Sequence, residues 1–277
     1  TVRQLLLHRT GLIPFRTWYL DMEGVEAYKN AVANEPLEVD PGTRTAYSDI
    51  GVMTLAWIIE EISGETLNDF LEERLFRPLG MLETRYNPSP LLRSRIAATE
   101  VDTIWRNEMV WGTVHDENAD AMGGVAGHAG LFSTAVDLSA FAQMMLNDGV
   151  SPECTPDGEV GVPCPLRRAA SSRLIDAEVL DMFTTRYDET SSRALGWDTP
   201  SNGSSGGDYV TTEAFGHTGY TGTSIWMDPE LDLWVILLTN RVHPTRANQK
   251  HVPLRRAVHD AAVLSITDQP VPRRVNR

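Results

Sequence analysis

Lysine is almost missing from this chain. Of its 24 basic residues only Lys29 and Lys250 are lysines, and 38 acidic residues leave a formal net charge of −14. A surface of that sign repels nucleic-acid phosphates and anionic membranes, so neither is expected as a partner. Long apolar runs are missing too. The longest, Leu233 to Leu238, suits a buried strand and falls well short of the roughly 18 residues a membrane helix needs. There is no internal repeat, and SNGSSGG is the one low-complexity stretch. Cysteine is scarce: Cys154 and Cys164 stand in NDGVSPECTPDGEVGVPCPL. Without a nearby histidine they are too few to bind a metal. They close a short loop rich in proline and glycine, which fits a disulfide and an oxidising compartment; two unpaired thiols are the alternative. What remains is ordinary globular composition. The 277 residues are 42% hydrophobic, enough to bury a core in one large domain or two small ones.

The periodicity changes along the chain. TVRQLLLH reads as a helix with Val2, Leu5 and Leu6 on one face. An irregular stretch punctuated by Gly11, Pro14, Pro36 and Pro41-Gly42 runs to about residue 50. IGVMTLAWIIEEI (50–62) predicts a strongly apolar helix ended by Ser63-Gly64. Thr66 and Asp69 predict a capping box for LNDFLEERLF. Residues 81–112 read as loops and turns, and 113–132 as a long glycine-rich loop. Thr134 and Asp137 predict another capping box, opening DLSAFAQMMLND, and a further helix is expected near 176–184. Beyond residue 193 four strands are expected, ALGWDT, YVTTEAFGHTG, TSIWMDP and DLWVILLTN, with a turn at 228–232 joining the last two. A helix over 245–265 and a disordered tail at 266–277 complete the reading. Helices first and an antiparallel meander later mean an α+β fold. The organisation expected is a single domain over 1–265, mainly helical over 1–192 and sheet-bearing over 193–265.

Two segments carry candidate chemistry. Tyr47-Ser48-Asp49 stands at the entrance of the apolar helix. A tyrosine held there can exchange a proton if a nearby cation lowers its pKa from about 10. A structural tyrosine with its ring in the core is the plainer alternative. His217-Thr218-Gly219-Tyr220-Thr221-Gly222 joins two strands. Its glycines let a ligand approach the backbone, and an exposed strand N–H can serve an oxyanion hole; a bulge or bend is the alternative. Other features carry less. Gly203-Ser204-Ser205-Gly206-Gly207 matches the nucleophile-elbow pattern but lacks the strand and helix an elbow requires. His115, Asp116, Glu117 and Asp120 match no metal-ligand spacing and read as a solvated acidic loop. His128 reads as a loop residue satisfied by hydrogen bonds.

Taken together these segments resemble the serine β-lactamase-like hydrolases, which include class C β-lactamases, DD-peptidases and related esterases. TVRQLLLHRTGLIP resembles the segment downstream of the nucleophile. PGTRTAYSDIGVMTLAWIIEEISGETLNDFLEERLFRPLGM resembles the Tyr-x-Asn region, and GGVAGHAGLFSTAVDLSAF the loop and helix beside the acyl pocket. FGHTGYTGTSIWMDPELDLWVILLTNRVHP resembles the strand bearing the Lys/His-Thr/Ser-Gly motif. The resemblance implies a β-lactamase/transpeptidase-like fold and a serine that forms an acyl-enzyme later released by water. It implies no metal or organic cofactor, and a small-molecule or short-peptide acyl substrate. Tyr47 matches the tyrosine that relays protons with the family's lysine. His217, Thr218 and Gly219 match the third motif, and the N–H of Tyr220 the second oxyanion donor. The loop of His115 and Asp116 is expected to border the substrate, and Tyr47 and the His217–Gly219 strand to converge on one cleft.

Two residues depart from the pattern. No Ser-x-x-Lys occurs, because Glu26 and Ala247 stand three before Lys29 and Lys250. The chain also starts in a helical pattern at Thr1, so the expectation is that the N-terminal strands and nucleophile helix are missing and that the chain alone is inert and marginally stable. Asp49 stands where asparagine is commonest, and an ionised aspartate cannot donate a hydrogen bond to a substrate carbonyl. His217, neutral at pH 7, lacks the fixed charge that lysine offers a carboxylate. The reading is an acyl hydrolase of small esters or amides. A non-catalytic peptidoglycan-peptide binding protein, and a true β-lactamase or D-Ala-D-Ala carboxypeptidase, are its rivals. The expected location is periplasmic or extracellular.

Overall fold

The computed structural model describes residues 1–152, 172–267 and 271. Cys154 and Cys164, and all of the 266–277 tail except residues 266, 267 and 271, lie outside them. In chain order the helices are α1 (Val2–Leu6), α2 (Val25–Asn34), α3 (Asp49–Ser63), α4 (Leu67–Leu71), α5 (Arg77–Leu79), α6 (Glu117–Ala121), α7 (Ala135–Leu146), α8 (Ala177–Thr184) and α9 (His251–Leu264). The strands are β1 (Val101–Asp102), β2 (Glu108–Met109), β3 (Phe215–Thr218), β4 (Ser224–Asp228) and β5 (Leu233–Leu237). None of the described helices is long and apolar enough to cross a membrane. The chain divides into two compact units, one of residues 1–75 and 83–133, the other of 76–82 and 134–277.

In the first unit α3 is the organising element. Ser48 caps it by accepting from the Gly51 N–H at 3.2 Å, and Gly64 ends it in the left-handed conformation that glycine adopts without penalty. Its apolar residues serve three clusters. Ile50 packs with Leu5 and Leu12, Met53 with Tyr28, Val114 and Met122, and Ala56 with Leu67 and Tyr86. The expectation of irregular structure up to residue 50 is corrected here. Residues 25–34 form α2, and Tyr28 on that helix is fully buried. Its hydroxyl donates to Asn118 Oδ1 at 2.9 Å, and the Asn118 amide donates to Arg16 O at 2.8 Å, so one buried side chain ties three segments. Tertiary burial, not local periodicity, holds α2 in place. The expected glycine-rich loop likewise contains the short helix α6, and residues 81–112 contain the β1–β2 pair.

In the second unit the three strands form an antiparallel sheet in the order β3-β4-β5. Gly216 pairs with Trp226 and His217 with Ile225. One face carries Trp226, which packs with Val263 of α9. The other carries Phe215, edge-on to Trp197 at 5.4 Å, and Trp197 in turn stacks on Phe141 of α7. Trp234 donates from Nε1 to Gln143 Oε1 at 3.0 Å, fastening β5 to α7. Two expected strands need correcting. ALGWDT contributes only isolated bridges, Arg193 with Asp198 and Asp198 with Gly216. YVTTEAFGHTG is extended only from Phe215, because Thr211 is held in a turn by Asp228, whose carboxylate accepts from the Thr211 hydroxyl at 2.6 Å. Apolar alternation cannot see that side-chain anchor. The elbow-like Gly203–Gly207 segment is a packed turn. A Cβ on Gly206 would stand 2.7 Å from the Trp226 ring, and Ser204 is buried. Val271 packs against the same Trp226 cluster.

Candidate active site

The residues that the sequence singles out fall into two groups, one in each unit. In the first unit the start of α3 sets the geometry. His8, at positive φ, accepts the Ser48 N–H on Nδ1 at 3.2 Å, and the Ser48 hydroxyl donates to Ile13 O at 2.8 Å. These bonds fix the residues on either side. The Tyr47 ring lies tilted against the His8 ring, centroids 4.4 Å apart, and is 39% exposed. Its ring is therefore not a core ring. Asp49 is the first residue of α3 and is half-buried. Burial pushes its carboxyl up to about 6; the negative charge of Asp116 adds to this and His128 opposes it.

Asp116 and His128 form the back of this group. Asp116 caps α6, its Oδ1 accepting from the Ala119 N–H at 2.8 Å, and the same oxygen lies 3.0 Å from His128 Nε2. Burial alone would raise Asp116. The hydrogen bond and charge of His128, with the Ala119 N–H, outweigh it and hold the carboxyl below the usual carboxylate range. The loop that carries His128 is seated by its glycines. A Cβ on Gly127 would stand 2.6 Å from Val52 O on α3, and one on Gly130 would stand 2.3 Å from Gly124 O. His115 has a different setting. Its Nε2 is 3.0 Å from Glu100 Oε2 with both side chains buried, and Arg106 donates to the carbonyls of Val114 and His115, each at 3.2 Å. Among the described residues no His, Cys, Asp or Glu cluster has the makings of a metal site.

In the second unit the end of β3 is held by arginines. His217 Nε2 lies 3.3 Å from Arg193 Nη1, and Nδ1 lies 3.0 Å from Thr218 O. A guanidinium only donates, so Nε2 is the acceptor and Nδ1 carries the hydrogen, which is the neutral imidazole. Burial first, and then the charge of Arg193, hold His217 below the ordinary imidazole range. Arg255 donates through Nη2 to Gly219 O at 2.5 Å and to Thr223 O at 2.7 Å. Arg241 donates to Tyr220 O at 2.7 Å while its guanidinium lies 4.2 Å from the Tyr220 ring centroid. The Tyr220 ring is 58% exposed. Gly219 has no room for a side chain, since a Cβ would stand 2.2 Å from Thr223 Oγ1.

His8, Arg193, Arg241 and Arg255 are the residues that the motifs did not announce. His8 had a signal of a kind, as a histidine just past the end of an apolar helix. The arginines had none, because each lies in a loop or on a helix far along the chain from the strand it serves.

The helical units and the antiparallel sheet define a mixed helix–sheet protein of the β-lactamase and penicillin-binding fold. A penicillin-binding protein homologue from Caulobacter crescentus superposes with a TM-score of 0.62 at 18% identity, over 94% of this chain and 71% of that one. Simvastatin synthase from Aspergillus terreus gives 0.65 at 15% identity, over 97% and 70%. The Beta-lactamase family pattern matches residues 1–260, and the chain belongs to that family. Among curated proteins a “Putative D-alanyl-D-alanine carboxypeptidase” of Escherichia coli (strain K12) is 35% identical over 240 residues, 80% of this chain and 51% of that protein. The chain thus spans about half the length of the curated relatives it matches.

Proposed function

We propose that this chain belongs to a serine acyl hydrolase that cleaves small amides or esters bearing a free carboxylate, with a D-Ala-D-Ala type peptide as the preferred class. The observation that carries the reading is the Arg193–His217 contact at 3.3 Å beside the Thr218-Gly219 strand end. In the family this place offers a cation to the substrate. His217 is neutral here, and Arg193 supplies a charge that persists at every working pH. The carboxypeptidase named in the Escherichia coli relative supports the peptide over a plain ester.

The reaction follows from the family chemistry. The nucleophile is a serine of a Ser-x-x-Lys pair, which these 277 residues do not contain and which chain outside them would supply. Its hydroxyl proton passes to the lysine–Tyr47 pair as Oγ bonds to the substrate carbonyl carbon. The oxyanion is held by the N–H of Tyr220 and that of the serine. Collapse breaks the C–N or C–O bond, and the leaving group takes the proton relayed through Tyr47. Water then splits the acyl-enzyme and restores the serine. No metal or organic cofactor takes part. Such a substrate belongs outside the cytoplasm, which agrees with a periplasmic or extracellular location.

The test uses the full-length protein with its Ser-x-x-Lys segment, incubated with a fluorescent phosphonate, a fluorescent penicillin and N-acyl-D-Ala-D-Ala. Labelling and D-alanine release are expected. Arg193→Ala should raise KM for the free-carboxylate peptide at least tenfold and leave its C-terminal amide unaffected. Binding without any covalent label would favour the peptidoglycan-peptide binding protein instead. This chain alone, lacking the pair, should show no burst acylation, since losing a nucleophile typically costs on the order of a million-fold.

A further inference from the structure

Asp49 is the family's asparagine replaced by an acid, and its surroundings are unusual for a carboxylate. Among the described residues no donor hydrogen-bonds to its side chain, although it sits half-buried at the first position of α3. Two charged groups act on it: the glycine-rich loop brings His128 and the capping position of α6 brings Asp116. His8, in the turn after α1, is engaged with Ser48 and Tyr47. Behind Asp116 lie the His115–Glu100 pair and Arg106. Asp116 engages one ring nitrogen of His128 at 3.0 Å, while the other, Nδ1, is buried without a hydrogen-bond partner. The His128 side chain is 2% exposed, so this nitrogen faces the interior.

We propose that Asp49 works in its neutral, protonated form as a hydrogen-bond donor to the substrate's amide carbonyl, and that the Asp116–His128 pair is the positioning device that governs how far it stays protonated. A neutral carboxyl has one O–H donor and so performs the task of the asparagine amide. The α3 N-terminus favours the anion. Partial burial beside a second carboxylate, itself held ionised by His128, outweighs it. His128 acts in both directions: its hydrogen bond keeps Asp116 charged, which favours neutral Asp49, while its direct electrostatic effect on Asp49 favours the anion. The substrate contact rests on the acyl-hydrolase reading above; the charge state does not.

Two measurements separate these. The first follows the Asp49 carboxyl by ¹³C NMR in the full-length protein, assigned through Asp49→Asn, with His128→Gln to keep a donor to Asp116 while removing the imidazole. A midpoint near 6 is expected, moving upward in His128→Gln. A midpoint in the ordinary aspartate range near 4 overturns the proposal. The second measures acylation of the full-length enzyme by N-acyl-D-Ala-D-Ala, as the ratio of Asp49→Asn to wild type. Each pH unit above the midpoint removes about nine-tenths of the neutral form. The ratio should therefore lie near unity at pH 5 and rise about a hundredfold by pH 8, with the depsipeptide ester analogue changing less. A raised midpoint with a flat ratio overturns the donor role. Absence of acylation in both proteins, with the midpoint still near 6, defeats the hydrolase reading and the donor role together and leaves the charge state standing.

Discussion

At the scale of single residues, the candidate site is built from groups whose state is set by neighbours distant in sequence. Tyr47 is the simplest case. Its ring is exposed beside His8, so removing the hydroxyl should not disturb packing. On the acyl-hydrolase reading proposed above, Tyr47→Phe in the full-length protein should lower acylation by about 10²–10⁴, the usual worth of a positioned acid–base group. Its unfolding free energy should match the parent within about 0.5 kcal/mol. Asp49 makes a prediction about stability that is independent of catalysis. Its folded pKa of about 6 lies above the unfolded value of 3.8. Between those values the folded state keeps a proton that the unfolded state releases, so stability falls as pH rises through that window and the penalty is complete above 6. Asp49→Asn removes the ionisable group. It should stabilise the protein by up to roughly 3 kcal/mol at pH 7 and by almost nothing near pH 3.5. Urea unfolding at both pH values checks this, and an equal effect at both would show that burial of the charge is not the cause. His259 should act in the opposite sense. Burial pushes it down to about 4 from an unfolded 6.5, so its stabilising neutral form is lost as pH falls through that interval.

At the scale of elements, most of the sheet and helix ends are fixed by close contacts with little slack. β3 pairs with β4 at Gly216, opposite Trp226, where a Cβ would stand 2.4 Å from Ile225 O and 2.5 Å from the Trp226 ring. Backbone and a buried indole cannot move aside cheaply. Gly216→Ala should cost at least 1–3 kcal/mol, the range for an overpacked site. The α7 cap is a milder case. Thr134 accepts the Asp137 N–H at 3.2 Å, so Thr134→Ala should cost about 1 kcal/mol. Chemical denaturation of the two variants side by side should rank them in that order. Both expected capping boxes contain this one bond, from Thr66 to Asp69 N and from Thr134 to Asp137 N.

At the scale of the whole molecule, the charge balance dominates. A net charge of −14 spread over a 277-residue chain with few cations makes the compact state repel itself. Neutral salt screens that repulsion over a Debye length of about 10 Å at 0.1 M. The thermal midpoint of the chain should therefore rise by a few degrees between 10 mM and 500 mM NaCl. A midpoint that falls with salt would mean that specific ion pairs, such as Arg256–Asp208 at 2.7 Å, outweigh the general repulsion.

The α+β class, the apolar helix over residues 50–62, the two threonine caps and the β4–β5 hairpin were legible in the sequence. Each is written locally, in a period of two or 3.6, a capping residue or a turn, and local free energy suffices to select it. The motif residues Tyr47, Asp49 and His217–Tyr220 were legible for the same reason, as short patterns beside recognisable elements. What they do was not. Helix α2 exists because Tyr28 is buried and bonded to Asn118, 90 residues away. His217 is neutral because it is buried and because Arg193, 24 residues before it, stands 3.3 Å away. Asp49 is poised to hold a proton because folding half-buries it and sets the Asp116 carboxylate near it, against the opposing pull of His128. Desolvation and charge act through space at a few ångströms, and a linear sequence carries no record of that distance. Only the tertiary structure decides which charges meet.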